Sequence, residues 1–144
     1  MLAEHRGGRV WLFDLVWIIA IRLLSKLTGQ HSFSAVFSHR QGKSTQHFRI
    51  LLRPNGLAMV RFGQTVSRKV CRTAVGRNYM KRSCRELIRY QVERLVGMDV
   101  VLVHKLEFTP QDWQKIQGEI EFLVGYCQKC RESYSFSSTS TNSV

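Results

Sequence analysis

Acidic residues are scarce through the middle of this sequence. Between Leu27 and Met98 there are two, Glu86 and Glu93, of ten in the 144 residues. Phosphodiester hydrolysis at a protein-held metal needs converging carboxylates. The later acids, Asp99, Glu107, Asp112, Glu119, Glu121 and Glu132, show no such spacing, so the chain is not expected to act as a metal nuclease on its own. No His pair among His31, His39, His47 and His104 sits at a spacing that would suggest a metal-free alternative. No apolar run reaches the roughly 18 to 20 residues that span a bilayer. No P-loop and no G-x-G-x-x-G is present. The length excludes a nucleotide-binding domain joined to a separate substrate domain. Cysteines are few. Cys127-Gln-Lys-Cys130 has the C-x-x-C spacing, but Cys71 and Cys84 do not complete a zinc set, so reduced thiols are expected. Four cysteines without a convincing secretion signal point to the cytoplasm.

What the chain has is positive charge: 22 Lys and Arg, for a net charge of +12. Eight of those twelve net charges fall within residues 61–90, where Arg61, Arg68, Lys69, Arg72, Arg77, Lys81, Arg82, Arg85 and Arg89 face one acid, Glu86. Such a local field favours a polyanionic partner. Hydrophobic residues at 44% provide for a core.

Residues 1–26 form an apolar and basic extension. Leu15 to Ile21 is unbroken, but Asp14 and Arg22 interrupt the wider run, so it is expected to be neither a signal peptide nor a span. From Leu27 the pattern is orderly. Ser32 is placed to cap a short helix carrying Phe33, Val36 and Phe37. Residues 47–53 alternate as a strand. Pro54-Asn55-Gly56 signals a hairpin turn into a second strand at 57–62, and 64–70 reads as a third. Residues 74–96 carry Met80, Cys84, Leu87, Ile88, Gln91 and Leu95 at helical spacing, with Gly97 as a stop. Residues 99–104 form a short buried strand, and Thr109 with Pro110 opens the last helix. The Ser/Thr-rich residues 133–144 are expected to be disordered. The order α-β-β-β-α-β-α predicts an α+β two-layer sandwich, one central sheet packed against helices, with its domain at 27–132.

On the 74–96 helix, Arg77, Lys81, Arg85 and Arg89 recur every fourth residue. Each step turns about 400°, so they form one slowly drifting stripe, expected to face away from the apolar side. Like charges at this spacing cost about 0.2–0.5 kcal/mol per pair. That cost has no structural return unless an anion offsets it. Arg82 lies beside the stripe, and Arg68, Lys69 and Arg72 lie just upstream, near the helix N-terminus that itself favours phosphate. Asn78 adds a donor and acceptor suited to a sugar hydroxyl or base edge. These nine residues are the expected RNA-binding set.

The run Phe62-Gly63-Gln64-Thr65-Val66-Ser67-Arg68-Lys69-Val70, then Ala74-Val75-Gly76-Arg77-Asn78-Tyr79-Met80-Lys81-Arg82 and Arg85-Glu86, resembles the signature of the bacterial ribonuclease P protein subunit. The resemblance covers residues 27–130. Tyr79 stands where the family pattern has Arg, and Arg68 where Lys is usual. The resemblance implies a protein that binds the catalytic RNA of ribonuclease P and helps it remove the 5′ leader of precursor tRNA. It implies contacts to the catalytic RNA from Arg77, Asn78, Lys81, Arg82 and Arg85. It also implies a leader cleft between the sheet and the first helix, with Phe33, Phe37 and Phe48 as aromatic floor and Arg49, Arg61, Ser67 and Lys69 at its edges. Mg²⁺ would belong to the holoenzyme and be held mainly by RNA, with no catalytic residue and no metal ligand in this chain. The competing expectations are a non-catalytic ribosomal or assembly protein using the same stripe, and a protein anchored at a membrane surface.

Overall fold

The computed structural model describes residues 23–142, with side chains through Tyr134 apart from Gln30 and His31. The extension at 1–22 lies outside the described residues. The elements are β1 (Leu24–Lys26), α1 (Gln30–His39), β2 (Gly42–Ser44), β3 (Phe48–Pro54), β4 (Val60–Thr65), α2 (Ala74–Arg89), β5 (Met98–His104) and α3 (Trp113–Asn142). Short 3₁₀ turns at Val92–Leu95 and Pro110–Asp112 lead into β5 and α3.

The five strands form one sheet in the order β1-β4-β5-β3-β2. β5 pairs parallel with β4 and antiparallel with β3. Its central position follows from its sequence: Val100, Val101 and Leu102 are all buried, so both faces must be covered. α2 is the crossover between the parallel strands β4 and β5. Pleat alternation then divides the core in two. Phe48, Ile50, Leu52, Phe62, Val100 and Leu102 pack against Met80, Cys84 and Ile88 of α2 and Ile116, Ile120 and Leu123 of α3. On the other face Leu51 and Val101 pack with Leu27 and with Val36 of α1, and Phe33 and Val103 border them.

The α+β class with one sheet against helices is as expected, but the helices cover both faces and not one. The expected hairpin at Asn55-Gly56 is absent, because β5 separates β3 from β4. Asn55 instead bonds across the sheet end, donating from Nδ2 to Met59 O at 3.2 Å and to Asp99 Oδ1 at 3.0 Å. The third strand expected at 64–70 is also absent. β4 runs through Gly63 and ends at Thr65, and Ser67 then closes a turn by accepting from the amides of Val70 and Cys71, each at 3.1 Å. Two short strands, β1 and β2, were not expected. Both are edge strands of three residues, too short to show an alternation.

β1 moves the domain boundary. Leu24, Ser25 and Lys26, assigned from sequence to the extension, pair parallel with Val60, Arg61 and Phe62. α2 stops at Arg89 rather than continuing to 96, and Gly97, at φ 89°, turns the chain into β5. The backbone of the Ser/Thr-rich segment is helical through Asn142. Tyr134 is tied down by its hydroxyl, 3.1 Å from His39 Nε2. Residues 143–144 lie outside the described residues.

Candidate nucleic-acid interface

Thr73 caps α2, its side chain accepting from the Gly76 amide at 3.1 Å. With Met80, Cys84 and Ile88 buried, the 100° period puts Lys81 and Arg85 along one flank of the helix rather than opposite its buried face, and Arg77 on the buried side at the first turn. Arg82 and Asn78 lie further out and are exposed. Gln64 of β4 donates its side-chain amide to Lys81 O at 2.9 Å, which fixes this flank against the sheet edge.

There Lys81, Arg82 and Arg85 meet Lys26 of β1 and the ring of Phe33 around an open cavity of about 410 Å³, floored by Phe62, Gly63 and Gln64. Among the described residues no acidic side chain lines it. Among the described residues no carboxylate pairs with Lys81, Arg82, Arg85, Arg68, Lys69 or Arg72. Gly63 leaves room for the Phe33 ring: a Cβ there would lie 2.5 Å from Phe33 Cζ. A second concavity of about 530 Å³ opens at the other end of α1, lined by Arg40, Lys43, Ser44, Arg49, Val103 and Lys105. α1, ten residues long, lies between two basic hollows, with Phe33 half-buried and Phe37 43% exposed on it.

The expected site residues therefore divide. Phe33, Phe37 and Arg49 sit along α1 and its face of the sheet. Phe48 does not. It is fully buried on the opposite face, edge-on to His104 at 5.2 Å and Phe108 at 5.9 Å between centroids, so it cannot floor a cleft. The strand period decides this, since its neighbours Arg49 and Leu51 carry the α1 face. Arg61 reaches that face, but Nε and Nη2 each hold Asp99 at 2.7 Å. Asp99 is fully buried and also faces Arg53 Nε at 3.5 Å, so this trio anchors three neighbouring strands. Ser67, Arg68, Lys69 and Arg72 are exposed on the connection into α2.

Two members of the stripe work inside the protein. Arg77 Nη1 donates to Cys71 O at 3.0 Å and Arg72 O at 2.9 Å, which closes the loop before α2. Arg89 Nη1 pairs with Glu86 Oε1 at 2.7 Å. Sequence reading missed Lys26, Arg40, Lys43 and Lys105. Three of these lie on or beside the two unread edge strands, so periodicity gave them no address.

The cysteines are all buried free thiols. Burial, then the neighbouring Cys130, pushes the Cys127 thiol up to about 12, so it stays protonated. Among the described residues no three His, Cys, Asp or Glu side chains converge.

The family model for Ribonuclease P matches residues 23–128, which begins at the strand that sequence reading left outside the domain. The chain belongs to the ribonuclease P protein family. It is 38% identical over 114 residues to the ribonuclease P protein component of Chromobacterium violaceum, covering 79% of this chain and 94% of that one. Against the component from Ralstonia pickettii it is 38% identical over 108 residues, covering 75% and 72%. Among solved structures it resembles a ribonuclease P protein of Thermotoga maritima, with a TM-score of 0.54, 25% identity and coverage of 69% and 94%. A Staphylococcus aureus ribonuclease P protein mutant shares the fold, with a TM-score of 0.62, 19% identity and coverage of 72% and 87%. In this chain Lys81, Arg82 and Arg85 line a basic cavity on α2, while Arg77 and Arg89 bond within the protein.

Proposed function

We propose that this chain is the protein subunit of a ribonucleoprotein endoribonuclease that matures the 5′ end of tRNA, and that the RNA partner carries the chemistry. Lys81, Arg82 and Arg85, with Arg68, Lys69 and Arg72, would dock phosphates of the catalytic RNA. The single-stranded leader of precursor tRNA would follow α1, from the Lys26–Phe33–Lys81 cavity toward Arg40, Lys43 and Arg49. Aromatic faces such as Phe37 tolerate any base, as a leader that differs between tRNA genes requires. Mg²⁺ would be held mainly by RNA phosphate oxygens. The chain itself screens phosphate repulsion and holds the leader in place. A cytoplasmic setting agrees with four reduced cysteines, and among the described residues no helix is long and apolar enough to cross a membrane.

The observation that carries the proposal is the cavity in which Phe33 meets Lys26, Lys81 and Arg85. Reconstitution with a bacterial ribonuclease P RNA and a precursor tRNA tests it. The protein should lower the Mg²⁺ needed for cleavage and tighten substrate binding. If it binds RNA yet changes neither, a non-catalytic ribosomal or assembly role replaces this one.

A further inference from the structure

α2 has a second flank. There Tyr79, Arg82, Glu86 and Tyr90 meet Pro110 and Trp113, at the entry to α3, around an open cavity of about 650 Å³. Tyr79 forms its wall, since its ring packs 6.0 Å from Phe108 and against the main core. Tyr90 does not serve the core: it is 66% exposed at the last turn of the helix. Three aromatic or ring residues, Tyr90, Trp113 and Pro110, thus border a hollow that no side chain of the described residues fills.

Arg82 lines both this hollow and the basic cavity on the other flank. Arg82, Glu86 and Tyr90 follow at i, i+4 and i+8 on one helical row, so Tyr90 lies about 12 Å along the axis from Arg82. The Glu86 carboxylate between them is neutralised by Arg89 at 2.7 Å. A phosphate held at Arg82 would therefore deliver a neighbouring base to the aromatic hollow without meeting a free negative charge.

We propose that the Tyr79–Tyr90–Trp113 hollow stacks an unpaired base of the bound RNA, with Arg82 holding that strand's phosphate. This rests on the RNA-binding reading above. Charge favours a nucleotide over an apolar peptide, because the hollow is continuous, through Arg82, with a cavity whose charged lining among the described residues is Lys26, Lys81, Arg82 and Arg85. Ring faces stack on any base, so the rings of Tyr90 and Trp113 would not select one.

The test is the affinity of the full chain for a bacterial ribonuclease P RNA transcript, measured across a range of salt for Tyr90→Ala, Tyr90→Phe and Lys81→Ala. Tyr90→Ala should weaken binding roughly 5- to 100-fold with the salt slope unchanged, since a stacked base releases no counterion. Tyr90→Phe should bind like the parent, and Lys81→Ala should lower the slope. With Trp11 and Trp17 replaced by Phe, Trp113 emission should be quenched on adding the RNA. Parent-like affinity for Tyr90→Ala together with unchanged Trp113 emission, while Lys81→Ala weakens binding, would overturn the stacking site alone and leave the hollow to a protein partner. If Lys81→Ala also binds like the parent, the RNA-docking reading fails with it.

Discussion

Gln64 donates its side-chain amide to the main-chain carbonyl of Lys81 at 2.9 Å, and so joins the end of β4 to the turn of α2 that carries the cleft's cations. The same side chain accepts from His104 Nε2, also at 2.9 Å. A three-residue chain thus runs from the end of the central strand to the proposed RNA surface. Like charges on one flank repel, and these bonds help hold the cations beside the apolar core.

His104 makes this tie sensitive to acid. Burial, and then the nearby charge of Lys81, lowers its pKa from 6.5 to about 4. Between those values the unfolded chain binds a proton that the folded chain refuses. Stability is therefore complete above pH 6.5 and falls as the pH drops toward 4, by about 3 kcal/mol in all. Urea unfolding at pH 7 and pH 4.5 should show the loss, and His104→Gln should flatten it. Glu119 adds to the same trend. Burial raises its carboxyl, but hydrogen bonds from Thr45 and His47 outweigh that and hold it below its ordinary value. The His104 variant separates the two contributions.

Arg77 should behave as a structural residue. Its two bonds to the carbonyls of Cys71 and Arg72 close the loop before α2. Arg77→Ala should lower stability by about 1–3 kcal/mol, read from the denaturation midpoint, and shift the salt slope of RNA binding far less than Lys81→Ala does.

Arg61→Ala removes the bidentate partner of a fully buried Asp99. Arg53 and Asn55 remain, so the loss should be about 3 kcal/mol rather than complete unfolding. Chemical denaturation checks it, and the variant's RNA salt slope should match the parent's.

Gly63→Ala probes the floor of the cleft. The new methyl would meet Phe33 at 2.5 and 2.9 Å and Leu27 Cβ at 3.3 Å. Stability should drop by about 1–3 kcal/mol. Adding Phe33→Ala should restore part of it, which thermal melting of the single and double variants would show.

The stripe, the long helices and the buried central strand were legible because each repeats a period over many residues. The faces of β3 were legible as well: Phe48, which the family resemblance places in the cleft, alternates with Arg49 and Leu51 and so lies on the other side. Strand order was not legible. Asn55-Gly56 is a local turn signal, and what separates β3 from β4 is the distant β5, whose two apolar faces need the centre of the sheet. β1 and β2, at three residues each, are held by pairing with β4 and β3 rather than by any pattern of their own. The internal bonds of Arg77 and Arg89 could not be read from spacing, because charge alone does not show which cations find partners at home.

The central claim is that the unpaired cations on α2 are there to be neutralised by RNA. The Lys81→Ala/Arg85→Ala double variant, titrated with a ribonuclease P RNA transcript from low to high salt, tests it most directly. The log–log salt slope should shrink by roughly two phosphates' worth, with the melting temperature held or raised. An unchanged slope, or a protein that unfolds without these two side chains, would contradict it.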